Sequence, residues 1–250
     1  MQRYFLTNNE RNGDKIHMLG EDYHHIIRVL RMVPGDKFSV VDTEGRVAIC
    51  EIIEIHPEYV EATILYEIEE KRELPIKVTI GSGLLKGDKF DIVIQKGTEL
   101  GAYSFFPFSS DRVVVKLDQK KKEKRVERWQ KIAKEAAEQS ERNIIPIVET
   151  PCSFKELIKH SEKFDTKIVA YEEQGRENDT KNFPTCLQKL SDGDSLLMLF
   201  GPEGGFSEEE ISILQSNGFI LCGLGPRILR AETAPLYALA SISFYFELLR

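Results

Sequence analysis

The sequence predicts an α/β protein of two domains, a small antiparallel β domain followed by a larger one built on a mostly parallel sheet. The chain has 250 residues, room for two moderate domains with real cores. Residues 37 to 70 alternate β-branched and aromatic residues with charged ones, the rhythm of half-buried strands. From Pro75 onward short apolar runs alternate with longer helical patterns, as in a parallel sheet with crossover helices.

Glu21 to Met32 (EDYHHIIRVLRM) has helical spacing and should stop at Val33-Pro34-Gly35, because a proline disfavours helix in the residue before it. Three strands follow, broken at Thr43-Glu44-Gly45 and at His56-Pro57-Glu58. Residues 1–73 then form a small antiparallel sheet or barrel with one short helix, and residues 74–250 form the second domain. There the apolar runs IKVTIGSGLL and SFFPF flank DKFDIVIQKGTELG, and a long amphipathic helix follows in KKEKRVERWQKIAKEAAEQSERN. Further strands are expected at Ile147-Val148, Lys167 to Tyr171, Ser195 to Phe200 and Phe219 to Leu221. A last helix is expected over Ala234 to Leu249.

The 34 basic and 41 acidic residues give a net charge of −7, with 41% apolar residues, a globular composition. No apolar stretch approaches the roughly 20 residues of a bilayer span, and the first residues lack a signal peptide's apolar core. A cytoplasmic protein without membrane contact is expected. Cys50, Cys152, Cys186 and Cys222 are scattered without metal-ligand spacing, so reduced thiols and no metal are expected. The acidic average hides a local pattern. Arg112 to Lys134 holds ten basic residues against three acidic ones, a stripe able to meet a polyanion.

Four segments carry chemical signals. Gly81-Ser82-Gly83-Leu84-Leu85-Lys86-Gly87 sits between a strand and a helix like a dinucleotide fingerprint, but its third glycine is misplaced, so a glycine-rich strand end is the better reading. Leu199-Phe200-Gly201-Pro202-Glu203-Gly204-Gly205-Phe206-Ser207 ends an apolar strand, and Ser207 with Glu210 forms a capping box opening a helix. Its glycines permit close approach of a ligand to the backbone, as at a site or a tight turn. Leu224 to Pro235 (LGPRILRAETAP) combines apolar Leu224 and Leu229 with charged Arg230 and Glu232, and offers Thr233 as a helix cap. In EAAEQSER, Glu138 and Arg142 stand one helical turn apart beside Gln139, on one polar face. His24 and His25, near Arg28 and Arg31, lack a nucleophile or metal partner, so packing or contact with a polyanion suits them better than catalysis.

In this order HHIIRVLRMVPGD, QKGTELG, EAAEQSERNIIP, GPEGGFS and LGPRILRAETA resemble the small-subunit ribosomal RNA uridine-N3 methyltransferases (RsmE type) of the SPOUT superfamily, over nearly the whole chain. The resemblance implies a PUA-like RNA-binding β-barrel over residues 1–73 and a SPOUT domain with a C-terminal trefoil knot over 74–250. It implies S-adenosylmethionine as methyl donor, held by Tyr171, Leu199, Gly201, Pro202, Gly205, Leu224, Gly225, Ile228, Leu229, Ala231 and Thr233. It further implies 16S ribosomal RNA or the assembled small subunit as substrate, and a homodimer.

N3 of uracil carries a proton at neutral pH, and its loss leaves negative charge over O2 and O4, so a base and a cation would each lower the barrier. Arg230 is assigned to the uracil and its anion, with Glu232 or Glu203 as proton acceptor. Arg3, Arg28, Arg31, Lys86, Lys96, Glu138, Gln139 and Arg142 are assigned to the RNA side. A noncatalytic RNA-binding protein, or a SPOUT methyltransferase acting on ribose 2′-OH or transfer RNA, are the alternatives, since fold does not fix substrate.

Overall fold

The computed structural model describes residues 1–7, 10–110, 119–173 and 181–250. They divide into two compact units, residues 1–73 with 137–144, and residues 74–136 with 145–250. The chain first passes between the units at 73/74, and the segment 137–144 returns to the first unit.

The first unit is a curved six-stranded sheet in the order β1-β4-β5-β6-β3-β2. Its strands are β1 (Arg3–Phe5), β2 (Arg11–Asn12), β3 (Lys15–Met18), β4 (Lys37–Val41), β5 (Val47–Ile55) and β6 (Val60–Ile68). The three expected strands are β4 to β6, paired antiparallel, whereas β1 joins β4 in parallel. The sequence reading missed β1 to β3, which are short and carry too few residues for alternation to show. The helix expected over residues 21–32 is shorter: α1 spans Gly20–His24 and continues as a π-helical turn, His25–Val29. Arg31, at φ 54°, ends it before the proline is reached. Tyr4, Ile16, Met18, Ile26, Phe38 and Ile52 lie in the core.

The second unit holds a parallel sheet in the order β10-β8-β7-β12-β11-β13, with β9 beside β8. These strands are β7 (Lys77–Gly83), β8 (Ser104–Ser109), β9 (Ile147–Val148), β10 (Cys152–Ser153), β11 (Thr166–Ala170), β12 (Ser195–Phe200) and β13 (Ile220–Cys222). Continuous apolar runs such as β12 (SLLMLF) form interior strands because both faces are covered. Leu196, Met198 and Phe200 face one core, while Leu197 and Leu199 face the other. The helices are α2 (Lys89–Glu99), α3 (Gln119–Gln139), α4 (Phe154–Ser161), α5 (Asn182–Lys189), α6 (Glu208–Ser216) and α7 (Thr233–Ser243), which runs on into a π-helical turn at Phe244–Leu249. No described helix is long and apolar enough to cross a membrane. None of the four cysteines forms a disulfide, and burial pushes the Cys50 and Cys152 thiols up to about 12.

Candidate active site at the carboxyl edge of the parallel sheet

The strands β7, β12, β11 and β13 are neighbours and all run parallel, so their carboxyl ends emerge on one edge. In an open α/β sheet that edge is where ligands bind. It receives the 81–87 strand end from β7, the 201–205 turn from β12, Tyr171 from β11 and the 224–233 turn from β13. Two turns remote in sequence thereby come together.

The 201–205 turn is tight. Gly205 donates its N–H to the Pro202 carbonyl at 2.8 Å, and a Cβ on Gly201 would lie 3.0 Å from the Gly205 Cα. Gly205, at φ +68°, has open space where a side chain would point. The following helix begins as the capping box foresees, with the Glu210 N–H donating to Ser207 Oγ at 3.1 Å and the Ser207 N–H to Glu210 Oε2 at 2.9 Å. The 224–233 turn is closed by the Thr233 and Ala234 N–H groups, both donating to the Arg230 carbonyl. Gly225, at φ +97°, also borders open space, while Leu224 and Ala231 pack against the core. The N-cap of α7 is Glu232 rather than Thr233, and no side chain caps it.

The side chain that joins the turns is one the sequence reading passed over. Lys89, the first residue of α2, places Nζ 3.1 Å from Glu203 Oε1 and 3.5 Å from Glu232 Oε2. The Lys86 N–H also donates to Glu203 Oε1, at 3.2 Å. The signal lay in the glycine-rich 81–87 strand end, which resembled a weak nucleotide motif but instead braces the 201–205 turn. Partial burial acts to raise the Glu203 pKa, but the backbone N–H groups and the Lys89 ammonium outweigh it and hold the carboxyl below its usual range. That makes Glu203 a poorer proton acceptor than an ordinary glutamate. Glu232 Oε2 is shielded from solvent and, among the described residues, accepts no hydrogen bond of ordinary length; its nearest cation is the Lys89 ammonium 3.5 Å away. Arg230 is exposed and makes no ion pair among the described residues.

The other residues assigned to the cofactor differ in exposure. Leu199 is fully buried on the sheet face, packed over Gly81, so its side chain cannot wall a ligand slot. Ile228 is 68% exposed rather than tucked into an apolar slot, and Leu229 is half-buried. Tyr171 is half-buried and donates its hydroxyl to Glu173; residues 174–180 lie outside the described residues.

Of the residues assigned to RNA, Arg3 and Arg142 are buried inside the first unit and present no charge to a phosphate. Arg3 donates to the Glu141 and Arg142 carbonyls, to Asn143 Oδ1 at 3.0 Å and to Glu70 Oε2 at 2.7 Å. Arg142 is paired with Glu73. The segment that read as a polar RNA-facing helix is, at Arg142 and Asn143, a structural joint, where these donors meet the half-buried Glu73 carboxylate and the Glu70 carbonyl. Arg28, Arg31, Lys86, Lys96 and Gln139 are exposed and Glu138 is half-buried, with Lys96 paired to Glu99. His25 shares a hydrogen bond with the buried Tyr4 hydroxyl at 3.0 Å, the packing role. In the basic stripe, residues 112–118 lie outside the described residues, Arg128 is paired with Asp88 and Asp91, and Lys120 and Lys124 are exposed.

Comparison with known proteins agrees with this geometry. The model of the RNA methyltransferase domain matches residues 72–243, and that of the RNA methyltransferase PUA domain matches residues 19–65. The chain is 48% identical to ribosomal RNA small subunit methyltransferase E of Bacillus subtilis (strain 168), over 100% of this chain and 99% of that protein. Identity to the protein of the same name from Synechocystis is 37%, over 90% and 71% of the two chains. The crystal structure of ribosomal RNA small subunit methyltransferase E from Neisseria gonorrhoeae bound to S-adenosyl methionine superposes with a TM-score of 0.85 at 29% identity, covering 98% of each chain. With both units matched in sequence and in fold, the chain belongs to the ribosomal RNA small subunit methyltransferase E family.

Proposed function

We propose that the chain transfers a methyl group from S-adenosylmethionine to N3 of a uridine in 16S ribosomal RNA. The observation that carries this is the meeting of the 201–205 and 224–233 turns at one sheet edge, beside open space at Gly205 and Gly225. Relatives of this fold were crystallised with that cofactor.

The residues present suit such a cofactor. Leu224 and Ala231, packed on the core, offer an apolar wall for an adenine, and the main chain at Gly205 and Gly225 borders open space that permits close approach. When bound, the cofactor supplies an electrophilic methyl group on a positively charged sulfur. The protein's own part is alignment, proton removal and charge stabilisation. Arg230, exposed and without an ion pair among the described residues, would hold the uracil and meet the charge that develops on its oxygens. Glu203 is held below its usual range by its donors, and Glu232, whose Oε2 is shielded from solvent beside the Lys89 ammonium, is the carboxylate assigned to accept the N3 proton.

The remaining parts of the reading have their own support. Arg28, Arg31, Lys86, Lys120 and Lys124 are exposed cations suited to phosphates, which position RNA without reading its sequence. Tyr237, Phe244, Leu248 and Leu249 leave an exposed apolar strip on the last helix, suited to a homodimer contact. A C-terminal trefoil knot and a cytoplasmic location complete the reading.

Mass mapping of 16S ribosomal RNA after incubation of free RNA or assembled subunits with enzyme and S-adenosylmethionine tests the function. A methyl group on a uracil N3 is expected; one on a ribose or on transfer RNA would overturn the assignment. Single-turnover rates against pH should show loss in Glu232→Gln, and an unchanged rate would remove the carboxylate base. Light scattering at micromolar concentration should give a dimer mass.

A further inference from the structure

Glu203 and Glu232 belong to different turns, and the strands that deliver them are separated in the sheet by β11. Among the described residues, the one partner they share is Lys89. The side chains of Lys89 and Glu203 are about one-third exposed, whereas that of Glu232 is 17% exposed. Lys89 is fixed from below: it opens α2, a helix anchored by the buried Phe90, Val93 and Ile94. Just upstream, Gly83 lies so close to Pro202 that an added Cβ would sit 2.6 Å from the Pro202 nitrogen. The brace therefore has two parts, a backbone contact to one turn and an ammonium reaching both.

We propose that Lys89 is a positioning residue: its ammonium clasps the 201–205 turn to the 224–233 turn and holds the cofactor pouch in its binding form. The proposal rests on the cofactor reading above. Without the ammonium, two carboxylates face each other, and Glu232 Oε2, already shielded from water and without a hydrogen bond, loses the cation beside it. Such a charge is relieved by movement toward water, and here that means the 224–233 turn swinging away from the 201–205 turn. The bond to Glu203 and then the charge of Glu232 raise the Lys89 pKa, so the clasp stays charged at neutral pH. Arginine retains charge and reach at this position, whereas methionine keeps the stem and removes the charge.

Calorimetry with S-adenosylmethionine on the full chain, with thermal unfolding alongside, tests this. Lys89→Met is expected to weaken binding about tenfold. It should raise KM for the cofactor and, because the displaced turn carries Glu232, lower kcat as well, with the melting temperature within a few degrees of the parent. Lys89→Arg should recover most of the affinity. Unchanged affinity in Lys89→Met, or a loss that Lys89→Arg does not relieve, would overturn the clasp. A second measurement needs no ligand: Lys89→Met and Glu232→Gln should be non-additive in thermal unfolding, and additive effects would sink the clasp even if the cofactor binds. If the parent protein binds no S-adenosylmethionine, the cofactor reading fails and the unfolding cycle alone decides whether the turns are tied.

Discussion

At the end of β7, Gly81 and Gly83 have ordinary backbone angles but no room for a side chain. A Cβ would sit 2.2 Å from Leu199 Cδ2 at Gly81 and 2.6 Å from the Pro202 nitrogen at Gly83. After β12, Gly205 shows the reverse: its φ is +68° and nothing lies within 4 Å of where a Cβ would stand. The first pair is glycine because a neighbour occupies the space; the second is glycine because of its backbone angle, and the space beside it is free. A glycine-rich string thus has two meanings that only a structure separates. Space filled by protein marks a support, whereas open space beside a turn glycine admits a ligand without requiring one, since Gly13, Gly35 and Gly87 show it too.

Substitutions can break or sharpen this contrast. The largest effect is expected from Gly83→Ala, because backbone cannot rotate out of the way: about 2–3 kcal/mol of stability lost in denaturant titration, with cofactor binding impaired alongside. A variant as stable as the parent would mean that the β7 end does not brace the 201–205 turn. Gly81→Ala should cost less, about 1–2 kcal/mol, since Leu199 can change rotamer within its core, and cofactor affinity should survive. Gly205→Ala should cost about 1 kcal/mol in stability, from the backbone angle alone. It should nevertheless weaken S-adenosylmethionine binding more than Gly81→Ala does, because its methyl enters the open space; equal affinities would refute the distinction.

The smallest effect is electrostatic. The Glu203 pKa is depressed in the folded protein, so its contribution to stability is present above the unfolded pKa and is lost as pH falls through the folded value. Melting temperatures followed from neutral to acid pH should therefore fall less steeply in Glu203→Gln than in the parent. Identical slopes would show that the donors from Lys86 and Lys89 do not stabilise the charged form.

Much of the fold was legible because local chemistry and tertiary packing agree. The alternation in β4 to β6, the apolar runs of β11 and β12 and the Ser207–Glu210 box each specify their element from within a few residues. What stayed hidden depends on partners far along the chain. β1 exists because Arg3–Phe5 pairs with Ser39–Val41, and nothing in RYF announces that. Arg142 looked exposed on a helix face beside Glu138; it is buried and pairs with Glu73, which turns its meaning from contact to support. In the site, the two turns were visible as motifs, but Lys89 was not, since a lysine at a helix start carries no signal until two carboxylates meet it.

The position of β12 between β7 and β11 has a consequence for how the molecule comes into being. Gly81 and Leu199 are neighbours in the sheet yet more than a hundred residues apart in the chain. A ribosome adding roughly 5–20 residues per second must work for several seconds between releasing one and the other. During that interval the first half of the sheet waits with an unpaired edge, a state that exposes strands to misassociation and makes refolding slow. The nascent polypeptide thus acquires its chemistry late, when the strand that fills the gap arrives.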